Sequence, residues 1–229
     1  MKTITEYLST KVVQTKIKAT DDTIRQIVKD ELDRLGHNAD LNHIDIGEVK
    51  DMHKLFSCFE DYLGSKYRDL NPDISRWDVS KIEDMHGMFS DCKKFDCDIS
   101  QWDVSGVKNM ANMFFGCESF NQDLSQWKVS KVKNMWCMFC DCKNFDQDLS
   151  SWDVSNVENM CAMFNGCKSF NQDLSGWNVG KVEDMGSMFE ECNEFNQDLS
   201  RWNVRNVKDV TFMFDNCNIK EEFKPKFKK

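Results

Sequence analysis

Two periods of apolar residues alternate along most of this chain. Leu124, Trp127 and Val129 have the LxxLxL spacing of a short strand, with polar residues between them. Val132, Met135, Met138, Phe139 and Cys142 then step by three and four, as one face of a helical turn or 3-10 segment does. Asn121-Gln122-Asp123 precedes the strand pattern with turn chemistry. The whole unit recurs. Trp77, Trp102, Trp127, Trp152, Trp177 and Trp202 return every 25 residues without a slip. So do the registers of Cys92 to Cys217, Phe89 to Phe214 and Val79 to Val204.

A unit of this size cannot bury its own apolar face, whereas stacked neighbours can. The pattern therefore predicts a repeat solenoid over residues 39–219. Each coil gives a strand to a parallel β-sheet on one face and a short helical or 3-10 segment to the other. Strands roughly 4.8 Å apart would make about seven coils a rod about 30 Å long. The first coil is degenerate: Asp40-Leu41-Asn42-His43-Ile44-Asp45-Ile46 aligns with Asp73-Ile74-Ser75-Arg76-Trp77-Asp78-Val79. Ile44 and Trp77 are 33 residues apart, so this coil holds an insertion near 60–71, expected on a surface loop. Its Tyr62, Tyr67 and Pro72 fall outside the registers.

The ends differ from the repeats. Residues 1–38 read as an N-terminal helical capping segment. Asp21 or Asp22 is placed to cap a helix from Thr23 to Leu35, and Gly36 to stop it. Ile24, Ile27, Val28, Leu32 and Leu35 form its apolar stripe. Val13, Thr15, Ile17 and Ala19 alternate weakly, as an added edge strand would. Residues 220–229 form a basic tail.

Composition follows from the repeat. Six of the 7 Trp, six of the 11 Cys and all but one of the 13 Met fall in repeat registers. An odd Cys count argues against a secreted disulfide scaffold and for a reducing compartment. The net charge of −9 argues against nucleic acid as the main ligand. No apolar run approaches a membrane span, and the mean hydropathy is −0.61. The first residues hold no apolar signal region, so the chain as it stands reads as cytoplasmic.

The signature FNQDLSxWDVSxVxNMxxMFxxC is present nearly whole from Phe120 to Cys142. On it the chain resembles the BspA-like leucine-rich-repeat surface proteins, over about residues 39–219. The resemblance implies a leucine-rich-repeat-like solenoid and adhesion or interaction roles, often at the cell surface. It implies no shared catalytic residues.

The candidate sites follow from the expected sheet. Trp occupies the middle apolar position of each strand, which assigns it to the core rather than to a sugar-binding ladder. The two Met registers fill irregular gaps in the same core. The registered Cys read as buried free thiols. Cys137-x-x-Cys140-x-Cys142 resembles half a zinc site without the remaining ligands. Asp73, Asp98, Asp123, Asp148, Asp173 and Asp198 would stack as like charges. Backbone amides of Asx-turns are the expected compensation, and calcium is the alternative.

One outward stripe is Asp45, Asp78, Asp103, Lys128, Asp153, Asn178 and Asn203. Beside it runs His43, Arg76, Gln101, Gln126, Ser151, Gly176 and Arg201. Variable chemistry on rigid coils marks these stripes as a partner-binding face. Only four His are present, and no nucleophile motif, P-loop or dinucleotide fingerprint accompanies them. The expectation is a non-enzymatic interaction or scaffold module, without cofactor or assigned metal site, that binds a protein through that face. The alternatives are a carbohydrate or cell-surface adhesin and a calcium-stabilised structural solenoid.

Overall fold

The computed structural model describes residues 16–59 and 62–227. Its regular elements are few. β1 (Ile17–Lys18) pairs in parallel with β2 (Ile44–Asp45), Ile17 opposite Ile44. Helix α1 runs Ile24–Leu35 between them, and 3-10 turns span Ser65–Tyr67 and Glu221–Phe223. Val13 and Thr15, expected to extend the edge strand, lie outside the described residues.

The expected leucine-rich-repeat-like solenoid, built on a parallel sheet with helical segments behind it, is therefore corrected. β1 and β2 are the only strands among the described residues, and between residues 39 and 219 the only helical piece among them is the 3-10 turn Ser65–Tyr67 of the insertion. The LxxLxL segments are chains of turns. The Trp127 N–H turns back to the Leu124 carbonyl (3.0 Å) and the Val132 N–H to the Val129 carbonyl (2.9 Å). Amides committed to such bonds within a repeat cannot build a ladder between repeats.

The segment expected to be helical carries the links between repeats instead. The N–H groups of Met135, Cys137, Phe139 and Asp141 donate to the carbonyls of Asn159, Cys161, Met163 and Asn165 at 2.7–2.9 Å. Between them, Met138, Cys140 and Cys142 make bonds three residues back, inside the repeat. Left-handed backbone at Cys137 (φ 51°) and Asp141 (φ 59°) keeps the segment from being either helix or strand. Only single-residue parallel bridges remain, from Asp51 through Asp84, Asn109, Asn134, Asn159 and Asp184 to Asp209.

Side chains bind the repeats together where the backbone does not. Each registered indole donates to the carbonyl at the Leu/Ile register of the preceding repeat, as Trp152 does to Leu124 at 2.9 Å. Each registered thiol points to a preceding Phe carbonyl, as Cys142 does to Phe114 at 3.0 Å. Two phenylalanine columns fill the interior. Phe89, Phe114 and Phe139 stack at 5.6–5.7 Å, and Phe95, Phe120 and Phe145 at 5.9–6.0 Å. Their rings interlock between columns, Phe114 and Phe120 lying 4.2 Å apart. Trp and Met registers are buried with them, so the shared recipe is a core recipe.

At the head, α1 buries Ile24, Val28 and Leu32, while Leu35 is exposed. Gly36 ends the helix with φ 91°. Asp21 does not cap it. Its Oδ1 accepts instead from the N–H groups of Lys50 and Asp51 (2.7 and 3.1 Å), and Thr23 holds the N-cap position. The insertion is not a free surface loop either. Tyr67 and Leu70 are buried, and the Tyr67 hydroxyl donates to Asp33 Oδ1 of α1 at 2.6 Å.

Candidate functional site

The outward stripes lie where their alternation with Trp and Val places them. Asp78, Asp103, Lys128, Asp153, Asn178 and Asn203 are exposed, as are Arg76, Gln101, Gln126 and Arg201, and Asp45 is half-buried. Several of these residues are occupied by local structure. Asp45, Asp78, Asp103 and Asp153 accept the N–H two residues ahead at 3.0–3.1 Å, closing Asx-turns. Arg76 Nη2 lies 3.4 Å from Asp40 Oδ2. His43 leaves the stripe altogether: it is buried, with Nε2 2.9 Å from Glu31 Oε2 and Nδ1 3.1 Å from the Asp40 carbonyl.

The stacked Asp register is compensated from its own turns. Oδ1 of Asp73, Asp98, Asp123, Asp148, Asp173 and Asp198 accepts the N–H of the Ser two residues on, at 2.8–3.1 Å. The amide and hydroxyl of Ser125 hold the Asp123 carboxyl below the usual range, and those of Ser150 do so for Asp148. A neighbouring ladder of carboxamides and carboxylates joins repeats: Asn121 N–H donates to Asp96 Oδ1 and Asp146 N–H to Asn121 Oδ1.

The eleven Cys are free. Burial pushes the thiols of Cys117, Cys142 and Cys167 far up. The Cys137-x-x-Cys140-x-Cys142 run does not converge. Cys142 turns into the core, its thiol pointing to the Phe114 carbonyl, while Cys137 and Cys140 lie nearer the surface. No group of three or more His, Cys, Asp or Glu is gathered to hold a metal among the described residues.

Outward aromatic residues gather elsewhere, on the segment that links the repeats. Phe59, Tyr62 and Trp136 are exposed by 37–44%. Phe59 packs 6.3 Å from Phe115, and Lys54 Nζ sits 4.8 Å over the Tyr62 ring. A cavity of about 230 Å³ opens among Lys54, Phe59, His86, Asn112, Phe115 and Trp136. His53 and His86 meet edge to face at 5.1 Å. Burial, then the nearby His53 and Lys54, keeps the His86 pKa below the ordinary histidine value.

The signal for this cluster lay in the departures from the repeat. The register of Trp136 elsewhere holds His86, Ala111, Cys161, Gly186 and Thr211. That of Phe115 holds Ser90, Cys140, Asn165 and Glu190. Trp136 is the seventh Trp, the one outside the core register.

These stacked 25-residue units match one described family twice, over residues 59–160 and 126–226. The chain belongs to that family, Mycoplasma protein of unknown function, DUF285. No curated protein matches it. No helix among the described residues is long and apolar enough to cross a membrane.

Proposed function

We propose that this chain is a non-enzymatic interaction module that binds a partner protein. The observation that carries the reading is the aromatic cluster of Phe59, Tyr62, Phe115 and Trp136. Large aromatic side chains at outward positions leave apolar surface in water, and such residues dominate binding energy at protein interfaces. Here they replace small or polar residues on a rigid stack, so the core does not need them. The polar stripe from Asp45 to Asn203 is a secondary contact surface, since much of its hydrogen-bonding capacity already closes turns.

Affinity capture followed by cross-linking tests this, with the intact chain and two variants. Trp136→Ala with Phe115→Ser should weaken capture of a cross-linked partner at least tenfold and leave the melting temperature within a few degrees. Asp78, Asp103 and Asp153 all changed to Lys should have a smaller effect. Capture unchanged by both variants would remove both surfaces.

A second reading, a carbohydrate or cell-surface adhesin, draws on the same cluster and on the likeness to BspA-like surface proteins. The registered Trp are buried and offer no sugar platform, so Trp136 would have to supply it. Glycan-array binding that disappears with Trp136→Ala would favour this reading. The calcium alternative loses its motive, because turn amides already compensate the stacked carboxylates.

A further inference from the structure

The links between repeats run in one direction. In the penultimate repeat, the N–H groups of Met185, Ser187, Phe189 and Glu191 donate to the carbonyls of Asp209, Thr211, Met213 and Asp215 at 2.7–2.9 Å. The equivalent donors one repeat later are Val210, Phe212, Phe214 and Asn216. None of these four N–H groups reaches a carbonyl among the described residues, though the Val210 N–H points to the Asp209 carboxylate. The backbone keeps its shape regardless: Phe212 (φ 57°) and Asn216 (φ 54°) match Ser187 (54°) and Glu191 (58°). Phe212 is 59% exposed, and Val210 and Phe214 are half-buried.

The tail continues only the other side of the stack. Lys220 N–H donates to Asn196 Oδ1 at 3.1 Å, as Asn196 N–H does to Asn171 Oδ1 at 3.0 Å. The Phe223 carbonyl accepts from Leu199 N–H at 2.8 Å. Between tail and donor row lies a cavity of about 500 Å³, lined by Val210, Phe212, Phe214, Lys224, Pro225 and Phe227 among others.

We infer that this open row binds one repeat of the same 25-residue kind from a different polypeptide. The edge presents donors only. An ordinary strand edge alternates N–H and C=O and would set donor against donor. The complement is an edge of carbonyls in matching register, which this chain makes at every junction between repeats. A ring at the Phe register of the incoming repeat would extend the Phe189–Phe214 stack, whose spacing is 5.8 Å. A second copy fits poorly. In its first repeat the matching carbonyls of His53 and Ser57 already accept from Arg25 Nη2 and Leu63 N–H. Among the described residues, the outer edge of the first repeat is covered and that of the last repeat is open.

Backbone amide exchange of the full chain, alone and with a synthetic peptide of residues 131–155, tests this. Alone, the amides of Val210, Phe212, Phe214 and Asn216 should exchange fast and those of Met185, Ser187, Phe189 and Glu191 slowly. The peptide should bind and protect all four. Val210→Pro deletes one donor that makes no bond between repeats, so folding should persist. Peptide binding should weaken about tenfold, the cost of one missing hydrogen bond. Phe214→Ala, which keeps the N–H and removes the stacking ring, should also weaken binding. No binding, binding without protection of the four amides, or protection arising from self-association of the chain alone would each overturn the inference. Trp136→Ala should leave peptide binding unchanged, which separates this edge from the aromatic cluster.

Discussion

The indole Nε1 of Trp127 donates to the carbonyl of Ile99, 3.1 Å away and 28 residues earlier in the chain. This bond joins adjacent repeats at a place where their backbones do not pair. Trp127 is thus both a core side chain and a cross-repeat link. Trp127→Phe should keep most of the packing but take from the Ile99 carbonyl one of its two donors, the Trp102 N–H remaining, at a cost of about 1 kcal/mol. Trp127→Ala adds a cavity and should cost about 3–5 kcal/mol. Urea unfolding distinguishes them. No loss in Trp127→Phe would mean that the hydrogen bond contributes nothing, and equal losses that the packing does not.

The Asx-turns make the stack acid-sensitive. The folded pKa values of Asp123 and Asp148 lie below their unfolded values. Their contribution is therefore complete above the unfolded pKa, near 3.8, and is lost as pH falls through the lower folded value. Thermal melts should show a flat midpoint from pH 7 to about 5 and a steep fall below about pH 4. Asp123→Asn keeps an acceptor for the Ser125 amide and should be nearly neutral at pH 7. Asp123→Ala should lower the midpoint, by no more than about 1 kcal/mol at so exposed a site.

Thiol reactivity should divide the eleven Cys sharply. Cys97, Cys161 and Cys217 are half-buried, and the other eight are buried. Burial, with nearby Asp184, pushes Cys161 up to about 11. Alkylation at pH 7.5 followed by peptide mapping should find Cys97, Cys161 and Cys217 modified in the folded chain, and Cys117, Cys142 and Cys167 only after unfolding. Early modification of Cys142 would contradict its place in the core.

The insertion is held to α1 by Tyr67 and Asp33. The Tyr67 hydroxyl is the main influence keeping the Asp33 carboxyl well below its usual range, followed by Lys66 and Lys29. Tyr67→Phe should raise the Asp33 pKa toward the ordinary value in a carboxyl NMR titration. It should also speed amide exchange in residues 62–70. An unmoved Asp33 titration would mean that the two groups are not coupled.

Much of the interior was legible in the sequence. A strict period of 25 assigned Trp, Met, Phe and Cys to the core, and the Asp-x-Ser pairs announced their turns. The backbone between those positions was not legible. Spacing of Leu124, Trp127 and Val129 suits a strand, but it equally suits successive turns closed by bonds three residues back. Left-handed backbone at Asn112, Cys137, Ala162, Ser187 and Phe212 leaves only a faint glycine signature, since Gly87 is the one Gly of that register. Their neighbours across the repeat junction hold them there. The aromatic cluster was obscured for another reason: attention to what repeats passes over Phe115 and Trp136, which interrupt the repetition.

Each junction reuses the same donors, carbonyls and stacked rings, displaced by 25 residues. A whole unit copied or deleted during recombination would leave every remaining seam chemically unchanged. An insertion would disturb only the coil that carries it, as the insertion near 60–71 lengthens the first coil and leaves every later seam in register. Genetic variation in such a chain is thereby channelled into copy number and into single outward residues. Length and surface can diverge between lineages while the interior stays the same.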